Sequence, residues 1–396
     1  MNFQKRNYFV YFSVYLIVQV IFVYVNQFLP IYYANVSEVN ITELGIVLLV
    51  SFSFLFAKPL LSIYFDKKSR LEQSSTSLFN KKTLLILGAV GAILSFIIFL
   101  LNLEFLVIFT IFLGLNLAFL SLMDVSIDKI ILAQSINESM KNKSAFYLQF
   151  GSVIGAIISS VYYFFLDDVT SLTSWRVIFI TGIITIITIF PTIFLLKEIE
   201  VDKTYLEKDN TKNEPIILKN VILMSTFIFL TYGTLLYDWM IDPWAVGMLE
   251  PQSLYAIFQI IFIFIDVISL LLAGKFIRKF NKRKLLLITV FFSGLLTSIA
   301  PLFGIFMFFV LISIREFISG FYLIGLTTLL FDISHKKVLP YQIMASFAIL
   351  AKVILSPLGL TLWGLNTIFG LITGEIIILI AGILQILSVI PLYFIK

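Results

Sequence analysis

Apolar runs of membrane-spanning length follow one another along the entire chain, near residues 8–33, 42–64, 83–101, 105–135, 145–166, 176–196, 221–249, 254–274, 285–302, 304–333, 341–366 and 373–395. A bilayer core of about 30 Å is crossed by about 20 apolar helical residues. Strands of about 3–10 residues do not account for runs of this length. In hydrocarbon every backbone polar group must be satisfied inside its own segment, so the runs read as twelve transmembrane helices. The composition agrees: 60% of the 396 residues are hydrophobic and 13% charged, against about 45–50% and about 25% in soluble domains. The first run begins just after Lys5 and Arg6 with no small-residue cleavage site, and reads as a retained signal anchor.

The basic residues set the topology. With the amino terminus in the cytoplasm, 23 of the 28 Lys and Arg fall in cytoplasmic segments, and Arg176 is the one in an outer loop. Glu38, Glu104, Asp167, Asp168 and Glu250 fall outside. The positive-inside rule then places both termini in the cytoplasm of a multi-pass cell-membrane protein. The net charge of +5 belongs to these loops and does not indicate nucleic acid.

Residues 197–220 form the one long polar stretch, near the middle of the chain, with six runs before it and six after. This predicts a six-helix bundle over 1–196, a cytoplasmic linker over 197–220 and a second bundle over 221–396. After the second run comes Ser62-Ile-Tyr-Phe-Asp66-Lys67-Lys68-Ser69-Arg70, and after the eighth comes Gly274-Lys-Phe-Ile-Arg278-Lys279. A small residue, three more and a charged cluster therefore recur half a chain apart, as parallel repeats would have them.

These features resemble the major facilitator superfamily. Its loop signature after helix two is Gly, three residues, Asp, basic, any, Gly, basic. Asp66, Lys67 and Arg70 match it, with Ser62 and Ser69 in place of the glycines, while the second copy keeps Gly274 and has Arg278 at the Asp position. Lys58-Pro59-Leu60, together with Asp124 and Asp128 on the fourth run, is similar to the branch of folate/biopterin transporters, muropeptide permeases and acetyl-coenzyme A transporters. The resemblance implies an all-α fold of two pseudo-symmetric six-helix bundles working by alternating access. It also implies that spans one, four, seven and ten line the central cavity. For Asp66 it implies a role in stabilising the outward-facing state.

Charges inside the spans cost at least about 2.5–3.5 kcal/mol each and are functional candidates by default. Outside the loops stand Lys58, Asp124, Asp128, Lys129, Asp238, Asp242, Asp266, Arg315, Glu316, Asp332, Lys352 and Glu375, none of them on spans three, six or nine. Asp124 and Asp128 share one helix face, as do Asp238 and Asp242. The first pair, near the cytoplasmic end with Lys58, suits a gate, along with Asp66, Lys67, Arg70, Gly274 and Arg278. Asp238, Asp242, Asp266 and Glu316 are the candidate carriers of a coupling proton, with Arg315 and Lys352 as counter-charges.

Arg315 has the rigid fork that also suits a carboxylate or phosphate on a solute. Gln19, Asn26, Asn116, Gln149, Trp239, Gln259, Arg315 and Lys352 complete the candidate substrate lining. The chain has no cysteine, and its single histidine, His335, lies in a short loop, so no metal or cofactor is expected. No Walker A, HExxH or GxSxG sequence occurs. The expectation is a monomeric secondary transporter of a small molecule, driven by a proton or another ion. The competing classes are an intramembrane lipid-modifying enzyme and a channel or lipid scramblase.

Overall fold

A computed structural model describes residues 3–28, 47, 49–63, 81–97, 106–134, 137–163, 171–196, 217–238, 241, 253–335, 337–369 and 373–395. Helix stands at each of the twelve apolar runs, and no strand occurs among the described residues. Among the described residues eight helices are long and apolar enough to cross a membrane, and the shorter apolar helices 49–63 and 82–95 lie at the second and third runs. The protein is a multi-pass helical membrane protein. The backbone divides into two compact units, Met1–Glu214 with Lys336–Gln342, and Pro215–His335 with Ile343–Lys396.

In the first unit the helices are α1 (Phe3–Val23), α2 (Lys81–Ile97), α3 (Leu106–Gln134), α4 (Glu138–Tyr163) and α5 (Leu172–Ile189), besides the segment Leu49–Ile63. Polar side chains start helices where loops leave the apolar zone: Asn137 Oδ1 accepts from Met140 N at 2.9 Å and Ser171 Oγ from Ser174 N. At the end of α5, Pro191 enters a 3₁₀ segment over Phe190–Leu195. Lys82 Nζ donates to the carbonyls of Phe194 and Leu196 at 2.9 and 3.0 Å, satisfying groups that a helix end leaves open.

Apolar helices gain little from hiding apolar surface from lipid, so close contact must hold them together. Glycines supply it. A Cβ on Gly155 of α4 would stand 2.7 Å from the Leu16 carbonyl oxygen of α1, and one on Gly88 of α2 the same distance from Met123 N of α3. The first run is not α-helical throughout: α1 widens into a π turn over Tyr24–Phe28. There the Tyr24 hydroxyl donates to the Ile178 carbonyl at 2.8 Å while its ring fills the space at Gly182.

The second unit contains α6 (Leu218–Thr231), α7 (Ser253–Phe276), α8 (Lys282–Ile299), α9 (Ile305–Ile333), α10 (Val338–Phe369, whose first turn belongs to the other unit), α11 (Gly374–Leu387) and α12 (Val389–Phe394). Gly320 of α9 lies against Leu270 N of α7, and Gly294 of α8 against the Gly382 carbonyl of α11, each leaving less than 3 Å for a Cβ. The uninterrupted helix expected over 221–249 is corrected: after Thr231 the backbone tightens into a 3₁₀ segment, Tyr232–Leu236, followed by a turn at Tyr237 and Asp238. Gly359 of α10 lies directly on the Leu236 carbonyl oxygen, an approach that any side chain at 359 would block. Outward-facing side chains such as Val107, Leu218 and Leu302, at 72%, 69% and 69% exposure, are what a lipid environment covers.

Gly359→Ala and Gly155→Ala are each expected to lower the melting temperature in detergent. Overpacking costs about 1–3 kcal/mol, and more where backbone is struck. Gly304→Ala, whose added Cβ would meet nothing within 4 Å, is expected to leave it unchanged. Equal melting temperatures for all three would contradict the packing described.

Candidate functional site

Each unit holds a cluster of ionisable side chains, and in the second unit Lys282 Nζ also donates to Asp332 Oδ2 at 2.7 Å as a separate pair. In the first unit, α3 presents Asp124 and Asp128 one turn apart, both buried. Lys58, from the segment 49–63, forms an ion pair with Asp124 Oδ2. The Tyr15 hydroxyl of α1 donates to Asp128 Oδ1 at 2.7 Å, and Gln342 Nε2, in the first turn of α10, donates to Asp128 Oδ2 at 2.6 Å. Towards the end of α3, Gln134 Oε1 accepts from Asn7 Nδ2 at 3.0 Å and from the Tyr11 hydroxyl. Polar contacts therefore recur along α3 from residue 124 to residue 134, about 15 Å at 1.5 Å per residue.

In the second unit Arg315 and Glu316, adjacent on α9, pair through Nη1 and Oε1 at 2.6 Å with both side chains mostly buried. The Ser319 hydroxyl lies 3.2 Å from Asp266 Oδ1 of α7 and 2.7 Å from the Glu316 carbonyl, so its single proton serves either. Lys352 Nζ of α10 stands 3.5 Å from Asp238 Oδ2, whose side chain is 41% exposed. Tyr237, buried, lies within electrostatic reach of Arg315, Glu316 and Asp238. Arg315 Nε is buried and has no hydrogen-bond partner among the described residues. Three acids and two bases thus share a region bounded by α7, α9, α10 and the end of the 3₁₀ segment.

The remaining candidates are dispersed. Asn116 is fully buried and ties α3 to α2, donating through Nδ2 to the Ala92 carbonyl at 2.8 Å and to Ser95 Oγ at 3.0 Å. Gln19 lies at the α1–α4 contact beside Gly155, and Gln149 is half-buried on α4. Gly274 is in the last turn of α7. Asn26, Gln259 and Arg278 lie in helical turns, but their side chains fall outside the described residues, as do Asp66, Lys67, Arg70, Trp239 and Asp242 altogether. His335 is exposed in the turn after α9. No group of three or more His, Cys, Asp or Glu suited to a metal occurs among the described residues.

Tyr15, Ser319, Gln342 and Tyr237 are site neighbours that sequence reasoning missed. Ser319 was within reach, three residues after Glu316 and so on the same helix face. Nothing distinguishes Tyr15 from the other 16 tyrosines.

No protein-family profile matches the chain, and no curated protein matches it in sequence. Solved structures do match it. The proton:xylose symporter XylE superposes with a TM-score of 0.76 at 13% identity, covering 100% of this chain and 96% of the other. The transporter FucP in its outward conformation gives 0.68 at 14% identity, with 98% of each chain covered. A bacterial homologue of the iron transporter ferroportin, in its outward-facing state, gives 0.69 at 13% identity with 99% of each chain covered. The chain has the major facilitator fold.

The Arg315–Glu316 and Lys352–Asp238 pairs of the second unit differ in burial, and so do the costs of breaking them. Glu316→Gln leaves the buried Arg315 without its ionic partner and is expected to destabilise by about 3 kcal/mol. Asp238→Asn removes a partner whose side chain is 41% exposed and leaves Lys352 with other interactions, so it is expected to cost less than Glu316→Gln. Thermal unfolding of the purified variants ranks them, and a larger loss for Asp238→Asn would overturn the order.

Proposed function

We propose that this protein is a secondary active transporter that moves a small organic solute across the cell membrane by alternating access, with proton movement through the second-unit cluster driving it. The observation that carries the reading is that cluster: Asp238, Asp266, Arg315, Glu316 and Lys352, held together within a membrane fold. Its charges are costly to retain unless they work. The solved neighbours include a proton:xylose symporter, and each of those compared is a transporter or a homologue of one, which weighs against the enzyme and scramblase readings.

On this reading the roles divide by geometry. Asp238, Asp266 and Glu316, with Asp242 beside them in sequence, exchange the proton, and Arg315 and Lys352 are the counter-charges that hold or release it. Arg315 Nε, buried and without a partner among the described residues, is the donor left for an acceptor group on the solute. Lys58, Asp124 and Asp128 belong to a gate at the cytoplasmic end, with Asp66, Lys67, Arg70, Gly274 and Arg278 alongside. Asn116, with its amide nitrogen engaged between α2 and α3, is assigned to helix packing rather than to the solute. Both termini and residues 197–220 face the cytoplasm, and the working unit is a monomer.

Proteoliposomes loaded with a panel of labelled anions, nucleosides, peptides and pterins identify a solute by counterflow. With that solute, Asp266→Asn or Asp238→Asn is expected to abolish accumulation driven by a proton gradient while sparing counterflow, which needs no net proton movement. Retained accumulation in both variants, or wild-type transport indifferent to the proton gradient, would sink proton coupling and leave uniport or another ion. For orientation, Asn210→Cys is expected to react with an impermeant thiol reagent only after the cells are opened; labelling from outside would reverse the topology.

A further inference from the structure

The bases at the turn joining α7 to α8 are grouped more tightly than topology requires. Lys275, Arg278, Lys279, Lys282, Arg283 and Lys284 stand within ten residues, and no Asp or Glu occurs between Asp266 and Glu316. The positive-inside rule asks only that bases lie on one side of the membrane. Which of them meet is a separate matter.

Two of the six are engaged within the fold. Lys282 Nζ donates to Asp332 Oδ2 of α9 at 2.7 Å. Arg283 Nη2 donates to the Tyr393 carbonyl of α12, and its guanidinium lies 5.9 Å from the Tyr393 ring centroid. Lys275 and Lys279 instead share one neutral partner, with their ammonium groups 5.7 and 5.4 Å from the centroid of the Phe276 ring. Both are exposed, as is Lys284, and none of the three forms an ion pair among the described residues. Two like charges held over one ring repel each other. Lys284 stands in the first turn of α8, the positive end of the helix, where acids rather than bases are favoured. An anion at the turn relieves both repulsions.

Position selects the kind of anion. Phe264, Ile268 and Leu271 of α7 are all exposed and, at spacings of four and three, form one stripe that Lys275 continues by a further turn. On α8 the exposed Ile288 and Phe291 follow Lys284 at the same spacings. Each stripe is a lipid-facing surface that ends in a lysine. Phe280, exposed, lies in the turn between them. A free phosphate ion would use the lysines alone. A phospholipid uses both parts, its acyl chains along the stripes and its phosphate at the ammonium groups, which is how bases at the end of a membrane helix take an anionic headgroup.

We propose that the α7–α8 turn binds the headgroup of an anionic phospholipid through Lys275, Lys279 and Lys284. The site lies wholly within the second unit and depends neither on the solute nor on proton coupling.

Native mass spectrometry of the purified full-length protein, titrated in detergent with dioleoylphosphatidylglycerol or dioleoylphosphatidylcholine, tests this. The wild type is expected to bind phosphatidylglycerol about tenfold more tightly than phosphatidylcholine. Lys275→Gln combined with Lys279→Gln is expected to remove most of that preference. Lys143→Gln combined with Lys219→Gln, which takes the same charge from exposed lysines elsewhere, is expected to keep it. Lys284→Gln alone is expected to weaken phosphatidylglycerol by a smaller factor, and it decides the matter if the first double variant does not fold. No preference in the wild type, an unchanged preference in the first double variant, or an equal loss in the second would overturn the proposal. Displacement of phosphatidylglycerol by inorganic phosphate at constant ionic strength would do so too, by making the ligand a free anion. So would phosphatidylglycerol that binds only after the six acids of 198–214 are neutralised, which would make that stretch of the chain the occupant.

Discussion

A backbone N–H or C=O that reaches hydrocarbon without a partner costs several kcal/mol, and most of this architecture answers that cost. It commits every spanning segment to helix, but helices with satisfied backbones have little reason to attract one another in lipid. Contact then depends on how near two backbones can come. Gly155 on α4, Gly88 on α2, Gly294 on α8 and Gly320 on α9 each bring a neighbour closer than a side chain would allow. Small hydroxyl residues serve the same end without leaving a polar group open. Ser95, Ser121, Ser159, Thr297 and Ser298 each donate to a carbonyl three or four residues back in their own helix.

The charged groups are the exceptions to that economy, and the two clusters make the exception differently. In the first unit the partners come from distant parts of the chain: Lys58 for Asp124, Tyr15 for Asp128. In the second unit Arg315 and Glu316 are neighbours on one helix and neutralise each other locally. A pair within one rigid helix travels with it and keeps its partner through any rearrangement. The Asp238–Lys352 pair joins two elements and is the one that relative motion can open. Buried ion pairs are poor stabilisers compared with apolar residues of similar volume, so the stability of the bundle does not explain why either cluster exists.

How much of this was legible in the sequence follows from what each feature depends on. The all-helical fold was readable because run length and backbone satisfaction are local properties. The apolar runs carry no record of backbone detail: the π turn at Tyr24–Phe28 and the 3₁₀ segment at Tyr232–Leu236 depend on neighbours, Gly182 for one and Gly359 for the other. The charged members of both clusters stood out because charge is rare in the spans. Their neutral partners did not, since a tyrosine or glutamine in an apolar helix has many unremarkable uses. Asn116, a candidate for lining, has its amide nitrogen engaged between α2 and α3, a contact its place in an apolar run does not announce.

The break in α6 connects the fold to the chemistry of the second unit. Asp238 stands two residues beyond the 3₁₀ segment, and its partner Lys352 precedes Gly359 by seven residues on α10, about two turns or 10 Å. The same stretch is therefore held to α10 at two places of different kind. At Gly359 the Leu236 carbonyl is in backbone contact, a joint that tolerates rotation but no separation without loss of packing. At Lys352 a flexible side chain reaches a half-exposed carboxylate at 3.5 Å, a contact that a small rotation about the first point would lengthen. A fixed contact beside an extensible one is a pivot with a lever. That geometry lets a change in the Asp238–Lys352 contact be felt as movement of the segment that carries Asp238.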